Sequence, residues 1–115
     1  MAEYLVLIYE DETAMEHADP SAFGTMMEGH QAFGEKHGAA IRGGNALQPS
    51  GTSTSIRGDG ANGFTITDGA FAETKEALGG YYLVEAADLD EAIALAKEIP
   101  AAFGGVEVRP VRPLG

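Results

Sequence analysis

One histidine lies where a side chain could transfer protons. His30 falls within a predicted helix, on an apolar stripe that recurs at helical spacing. An imidazole buried there without a partner would cost about 1–3 kcal/mol. A backbone carbonyl or a water could satisfy it, which would make His30 structural. Alternatively, His30 is a general acid or base, the role that histidine fills most often in enzymes.

Carboxylates near the middle of the chain form a second candidate group. Asp68 precedes Gly69, a pair typical of turns. Residues 72–78 contain good helix formers and precede two glycines, which predicts a short helical turn. Two interpretations are open. Asp68 and Glu73 could be carboxylates at the mouth of a cleft. Alternatively, Asp68 is an ordinary turn residue and Glu73 is a solvated charge.

The elements that must position these side chains follow from periodicity. Asp19 and Pro20 predict the start of a helix that runs to His37, with Asp19 as the N-cap. Asp88 predicts the start of a second helix, which Pro100 ends. The tract Glu10-Asp11-Glu12 is interpreted as a solvated acidic turn. Strands are predicted at residues 4–9, 39–47, 81–84 and 106–109, with a small hairpin at residues 52–57 and 63–67.

This order of elements predicts an α+β fold of the ferredoxin-like type, βαββαβ with an inserted β-hairpin. Two helices can cover only one face of the sheet, yet the strands at residues 4–9 and 81–84 are apolar on both faces. A second copy of the chain, packed sheet against sheet, would cover the other face. We therefore expect a homodimer.

Six segments of the chain together resemble the YCII-related family, in particular its branch of DGPF-domain proteins. The resemblance covers nearly the whole chain and implies a dimeric α+β barrel. One departure is Ala70, where the family signature has proline, so φ is not fixed there and the placement of Phe71 is less rigid. The segments are YLVLIYE (4–10), HQAF (30–33), GNALQP (44–49), TITDGAFAETKE (65–76), GGYY (79–82) and VEVRP (106–110).

The resemblance implies a small-molecule enzyme of unknown substrate. His30 matches the helix histidine that related proteins combine with an aspartate, here Asp68, so the two would form an acid–base pair. A carboxylate beside the imidazole would raise the pKa of His30. Glu73, Phe71 and Tyr81 would contact the substrate, with Tyr82 as an alternative hydroxyl donor. Proton abstraction, elimination or hydrolysis without a cofactor would all be open.

The alternative is a non-catalytic module that binds a small ligand or a protein. Related proteins resemble accessory factors encoded near alternative sigma factors, which would imply a role in signalling. Geometry discriminates the two hypotheses. An enzyme needs His30 and Asp68 within hydrogen-bond reach in a pocket, whereas a scaffold would bury His30 against a backbone carbonyl.

The composition and charge of the chain argue against several kinds of binding partner. The 115 residues fit a single domain, residues 1–115, and 7 basic against 18 acidic residues give a net charge of −11. Such a surface repels nucleic-acid phosphates, so no direct nucleic-acid contact is expected. There are no cysteines and only three histidines without ligand spacing, so no metal site is predicted. With no apolar run of membrane-spanning length and no predicted signal peptide, we expect a cytoplasmic protein without a membrane partner.

Overall fold

A four-stranded antiparallel sheet with helices on one face forms the centre of the structure, a computed structural model that describes residues 1–61, 63–71 and 74–114. A two-stranded hairpin is inserted in the chain between the second and third of these four strands, counted in sequence order. The strands are β1 (Ala2–Glu10), β2 (Ile41–Ala46), β3 (Thr54–Gly58), β4 (Phe64–Asp68), β5 (Ala77–Ala86) and β6 (Gly104–Pro110), and the helices are α1 (Glu12–His17), α2 (Pro20–His37) and α3 (Leu89–Ala96).

The strand order is β2-β5-β1-β6, and all pairs are antiparallel. This is the ferredoxin-like order, so the predicted α+β fold is confirmed. The two strands that are apolar on both faces, β1 and β5, occupy the centre of the sheet, as their composition predicts. The inserted hairpin pairs β3 with β4.

Side-chain alternation along β1 divides the sheet into two faces. Tyr4, Val6 and Ile8 are buried in one cluster with Phe33 of α2 and Leu95 of α3, so this face carries the helices. The opposite face is called the open face here. Its central side chains are only half-buried and belong to no buried cluster of the described chain: Leu5, Leu7, Tyr81 and Leu83.

Helix α2 begins as predicted. The Asp19 carboxylate accepts a hydrogen bond from the Ser21 amide (2.9 Å). Gly29 allows the helix to approach the loop after α3, because a Cβ there would lie 2.6 Å from Pro100 Cγ. This close approach accompanies the burial of Phe33, of which only 3% is exposed. The helix is therefore fixed on the sheet at the turn that follows His30.

Two local predictions are wrong. The acidic tract is not a solvated turn, because Asp11 caps α1 by accepting from the Ala14 amide (3.0 Å). The helical turn predicted before Gly79 is also absent from the described residues, since β5 already begins at Ala77. Strand pairing with the end of β1 outweighs the helix propensity of this segment.

The hairpin has one apolar face. Because directly paired residues share a face, Ile56, Phe64 and Ile66 lie together, with Asp68 at the end of the same face. The three apolar side chains are between 55% and 72% exposed.

Within the described part of the chain, no helix is both long and apolar enough to cross a membrane.

Candidate functional site

A cavity of about 470 Å³ opens between α2 and the end of the sheet formed by β2 and β5. It is called the His30 cavity. Its walls are mainly apolar, and three of its polar groups are an imidazole, a phenol and a carboxyl group. The lining residues are Ile8, Glu10, Met15, Phe23, Met26, Met27, His30, Gly44, Asn45, Ala46, Leu47, Gly79, Gly80, Tyr81 and Tyr82.

His30 is hydrogen-bonded to Tyr82, with 2.8 Å between Nδ1 and the phenol oxygen. The two rings are stacked with centroids 5.8 Å apart, and Phe33 packs edge-on against Tyr82 at 5.1 Å. Tyr82 thus contacts the imidazole through both its hydroxyl and its ring, and Phe33 supports the Tyr82 ring. The imidazole is therefore oriented by a side-chain hydroxyl and not by a backbone carbonyl.

Partial burial keeps both members of this pair uncharged near neutral pH. Burial lowers the pKa of His30 below its usual value, because it disfavours the imidazolium. Burial raises the pKa of Tyr82, because it disfavours the phenolate. A neutral imidazole can accept a proton, and a neutral phenol can donate one.

The hydrogen bond between the two rings allows two tautomers with complementary chemistry. If Tyr82 donates to Nδ1, the imidazole carries its proton on Nε2 and can donate it to a ligand. If Nδ1–H donates to the phenol oxygen, Nε2 has a free lone pair and is a base. The pair can thus work as an acid in one tautomer and as a base in the other.

Glu10 is a second ionisable group of the cavity. It is the last residue of β1, and burial together with the nearby Glu12 charge raises the pKa of its carboxyl group. Gly79 makes room for this side chain, because a Cβ at that position would overlap the Glu10 carboxylate. Gly79 is also the residue at which the pairing of β1 with β5 shifts register. A larger side chain there would displace Glu10.

Helix α1 is fastened beside the cavity by Glu12. The Glu12 carboxylate accepts hydrogen bonds from the Ser50 amide (2.8 Å) and from the Ser50 hydroxyl. Ser50 begins a 3-10 turn that follows β2. This contact ties the start of α1 to the segment that follows β2, and α1 contributes Met15 to the wall of the His30 cavity.

The structure does not bring Asp68 to His30 within one chain. Asp68 is exposed at the end of β4 and lines a second cavity of about 920 Å³ at the base of the hairpin. Leu47 lines both cavities, so they adjoin. The lowered pKa of His30 is opposite in direction to the rise expected from a carboxylate partner.

The three residues predicted to contact substrate do not share one place: one lines the His30 cavity, one lines the second cavity, and one lies outside the described residues. Phe71 lines the second cavity, is 61% exposed and carries the Arg57 guanidinium 4.3 Å above its ring. Tyr81 lines the His30 cavity, although its side chain belongs to the open face, where its hydroxyl accepts from Asn45 Nδ2 (3.0 Å). Glu73 lies outside the residues that the structure describes.

Glu10 was not predicted from the sequence. Its acidic neighbours suggested a solvated turn, yet it also directly follows the most apolar strand of the chain. A carboxylate at the end of a central strand lies close to the core, and this position was the available signal. Tyr82 was foreseen only as an alternative to Tyr81. Strand alternation distinguishes the two once Val84 is known to face the helices.

Comparison with known proteins identifies relatives of the whole chain. The profile of the YCII-related domain matches residues 2–115. An uncharacterised protein of Rhizobium meliloti (strain 1021) is 34% identical over 113 residues, which covers 94% of this chain and 90% of the relative.

Proposed function

Since this chain belongs to the YCII-related family, we propose that it is a small-molecule enzyme that carries out proton transfer in the His30 cavity. In this proposal His30 removes a proton from a carbon next to a carbonyl group. The C–H bond breaks, its electron pair forms the enolate, and the proton passes to the imidazole. Tyr82 orients the imidazole.

The observation that supports this proposal is the His30–Tyr82 hydrogen bond in the wall of an apolar cavity. A base must be unprotonated at the working pH, and burial lowers the pKa of His30. The mainly apolar wall also gives the imidazole surroundings that are less polar than water. A histidine with a purely structural role would also need a polar partner, but it would not need an open cavity beside it.

Exchange of substrate protons for deuterium tests the proposal without knowledge of the product. Small ketones and amino ketones are incubated with the protein in deuterated buffer, and loss of the proton next to the carbonyl is followed by NMR. We expect exchange in at least one compound. His30→Gln should slow this exchange by about 100-fold or more, the usual contribution of a general base.

His37→Gln provides a matched control. His37 lies on the same helix, but its Nε2 contacts the Glu98 carboxylate (2.8 Å), and it is not a lining residue of the cavity. This variant should exchange protons at the rate of the unmodified protein. Equal rates in the His30→Gln variant and the unmodified protein would contradict the proposal.

The alternative function, a non-catalytic binding module, makes a different prediction in the same experiment. Its ligands would shift the NMR signals of residues that line the cavity, and no compound would exchange its protons. The same NMR sample therefore distinguishes an enzyme, which exchanges substrate protons, from a binding module, which only shows shifted signals.

We also propose that the protein acts as a homodimer. The open face presents Leu5, Leu7 and Leu83, and none of the helices in the described part of the chain covers them. Contiguous apolar surface of this kind marks an interaction site. The apolar face of the hairpin adds a second exposed surface, and a symmetric partner could cover both.

A further inference from the structure

We infer that the His30 cavity is selective for small apolar amines in their ammonium form. The inference rests on the proposed function, because it names the class of substrate for the same cavity. It follows from three properties of the cavity: its mainly apolar walls, the sign of the charge around it, and one carboxylate that has no hydrogen-bond partner among the described residues.

The walls suit an apolar ligand that carries a positive charge. Phe23 and Tyr82 contribute aromatic rings, and three methionines contribute polarisable thioethers. Aromatic faces attract cations, and methionine adapts to irregular apolar shapes. The methionines are Met15, Met26 and Met27.

The charge around the cavity disfavours anions. Among the described residues that line it, none is lysine or arginine. Several basic side chains are already engaged elsewhere. Lys36 pairs with Glu98 (2.8 Å), and Arg42 pairs with Glu85 (3.1 Å). The net charge of −11 further attracts cations to the protein surface.

Glu10 supplies the anchor for the ammonium group. Its carboxylate lies in the cavity wall, and no donor among the described residues hydrogen-bonds to it. Burying an unpaired carboxylate is unfavourable, and the neighbouring Glu12 charge adds to the cost. A bound ammonium would pair with Glu10 and offset this cost. An alcohol of the same shape would offer only a neutral hydrogen bond, and a carboxylate would add repulsion.

Binding of three probes of similar shape tests this inference. The probes are 2-phenylethylamine, 2-phenylethanol and 3-phenylpropionate, and their dissociation constants are measured at pH 7.5 from the NMR shifts of the methionine methyl groups. We expect the amine to bind at least about 10-fold more tightly than the alcohol, as for a charge-assisted hydrogen bond. The propionate should bind more weakly than the alcohol.

Glu10→Gln should bring the affinity ratio of amine to alcohol close to one while alcohol binding is retained. Glu16→Gln is the matched control, because it removes the same charge from an exposed position in α1 that does not line the cavity. This variant should keep the preference for the amine. Retained alcohol binding also shows that the cavity of the Glu10 variant is folded.

Equal affinity for amine and alcohol, or a preference that survives in the Glu10→Gln variant, would overturn the inference. Deuterium exchange in a neutral ketone without preference for amines would leave the proposed function standing and remove only the amine selectivity. Amine selectivity without any deuterium exchange would support the binding site and contradict catalysis. The two proposals therefore fail separately.

Discussion

At the scale of single residues, burial moves the pKa values of His30 and Glu10 in opposite directions, and both shifts favour the neutral form. The imidazole loses its proton more readily, and the carboxyl group keeps its proton more readily. An uncharged imidazole can act as a base, which is what the proposed proton transfer requires.

The pKa of His30 should lie below 6.5 in the folded protein, and it should stay there in the Asp68→Asn variant. Burial lowers it, and Asp68 lines a different cavity of the same chain. NMR titration of the imidazole in both proteins measures the two values. A pKa above 6.5 that falls in the Asn variant would instead show that Asp68, from this chain or another copy, pairs with His30.

Sequence reasoning at this scale succeeded where a residue's neighbours decide its environment and failed where a distant strand decides it. The helical stripe correctly placed His30 on the face of α2 that turns towards the sheet and its cavity. The partner of His30 could not be read from spacing, because Tyr82 is 52 residues away and reaches it only through the register of β5. Glu10 was misjudged because local composition does not reveal how far a strand end is buried.

At the scale of secondary-structure elements, α2 decides where the cavity lies. Phe33, one turn after His30, is buried among β1, β5 and α3 side chains, whereas Phe23 near the start of the helix is 57% exposed and faces the cavity. One end of the helix is thus packed on the sheet, and the other end borders the open space. The apolar stripe predicted on α2 is therefore present, but only the part near Phe33 belongs to the hydrophobic core.

Truncation of these two phenylalanines should separate stability from binding. Phe33→Ala should lower the free energy of unfolding by about 3–5 kcal/mol, the usual cost of a cavity left by a buried phenylalanine. Phe23→Ala should lower it by less than about 1 kcal/mol and weaken binding of 2-phenylethylamine. Urea denaturation and NMR titration provide the two measurements. A similar loss of stability in both variants would contradict this division of the helix.

Local propensity failed at the start of β5 because strand pairing overrides it. Residues before Gly79 favour a helix, yet Ala77 and Leu78 pair with Glu10 and Tyr9 of β1. The cap at Asp88 was predictable, since the Asp88 side chain needs only the Glu91 amide three residues later (2.9 Å). Signals within one turn of helix were reliable, and signals that depend on a partner strand were not.

At the scale of the whole molecule, the single chain is flatter and more extended than a globular protein of its length. Its dimensions are 47 × 45 × 18 Å, and its radius of gyration is 16.2 Å, compared with about 13 Å expected for 115 residues. The projecting hairpin and the uncovered sheet account for this shape. A second copy packed on the open face would give a thicker and more compact particle.

The charge on each chain does not prevent this association. Two carboxylates of the open face are already paired within the chain, Glu107 with Arg109 (2.7 Å) and Glu85 with Arg42 (3.1 Å). The open face is therefore less acidic than the chain as a whole. Its leucines can approach those of a partner without bringing unpaired carboxylates together at the centre.

Light scattering should give a mass of twice 12.0 kDa at micromolar concentration, and Leu7→Glu should reduce it to the mass of one chain. Leu7 lies at the centre of the open face, where a dimer would bury the new carboxylate without a partner. Leu89→Glu is the matched control, because Leu89 is 46% exposed at the start of α3, away from the open face. Circular dichroism shows whether each variant remains folded. A folded, unmodified protein with the mass of one chain would contradict sheet-to-sheet association, since the open face would then be stable in water.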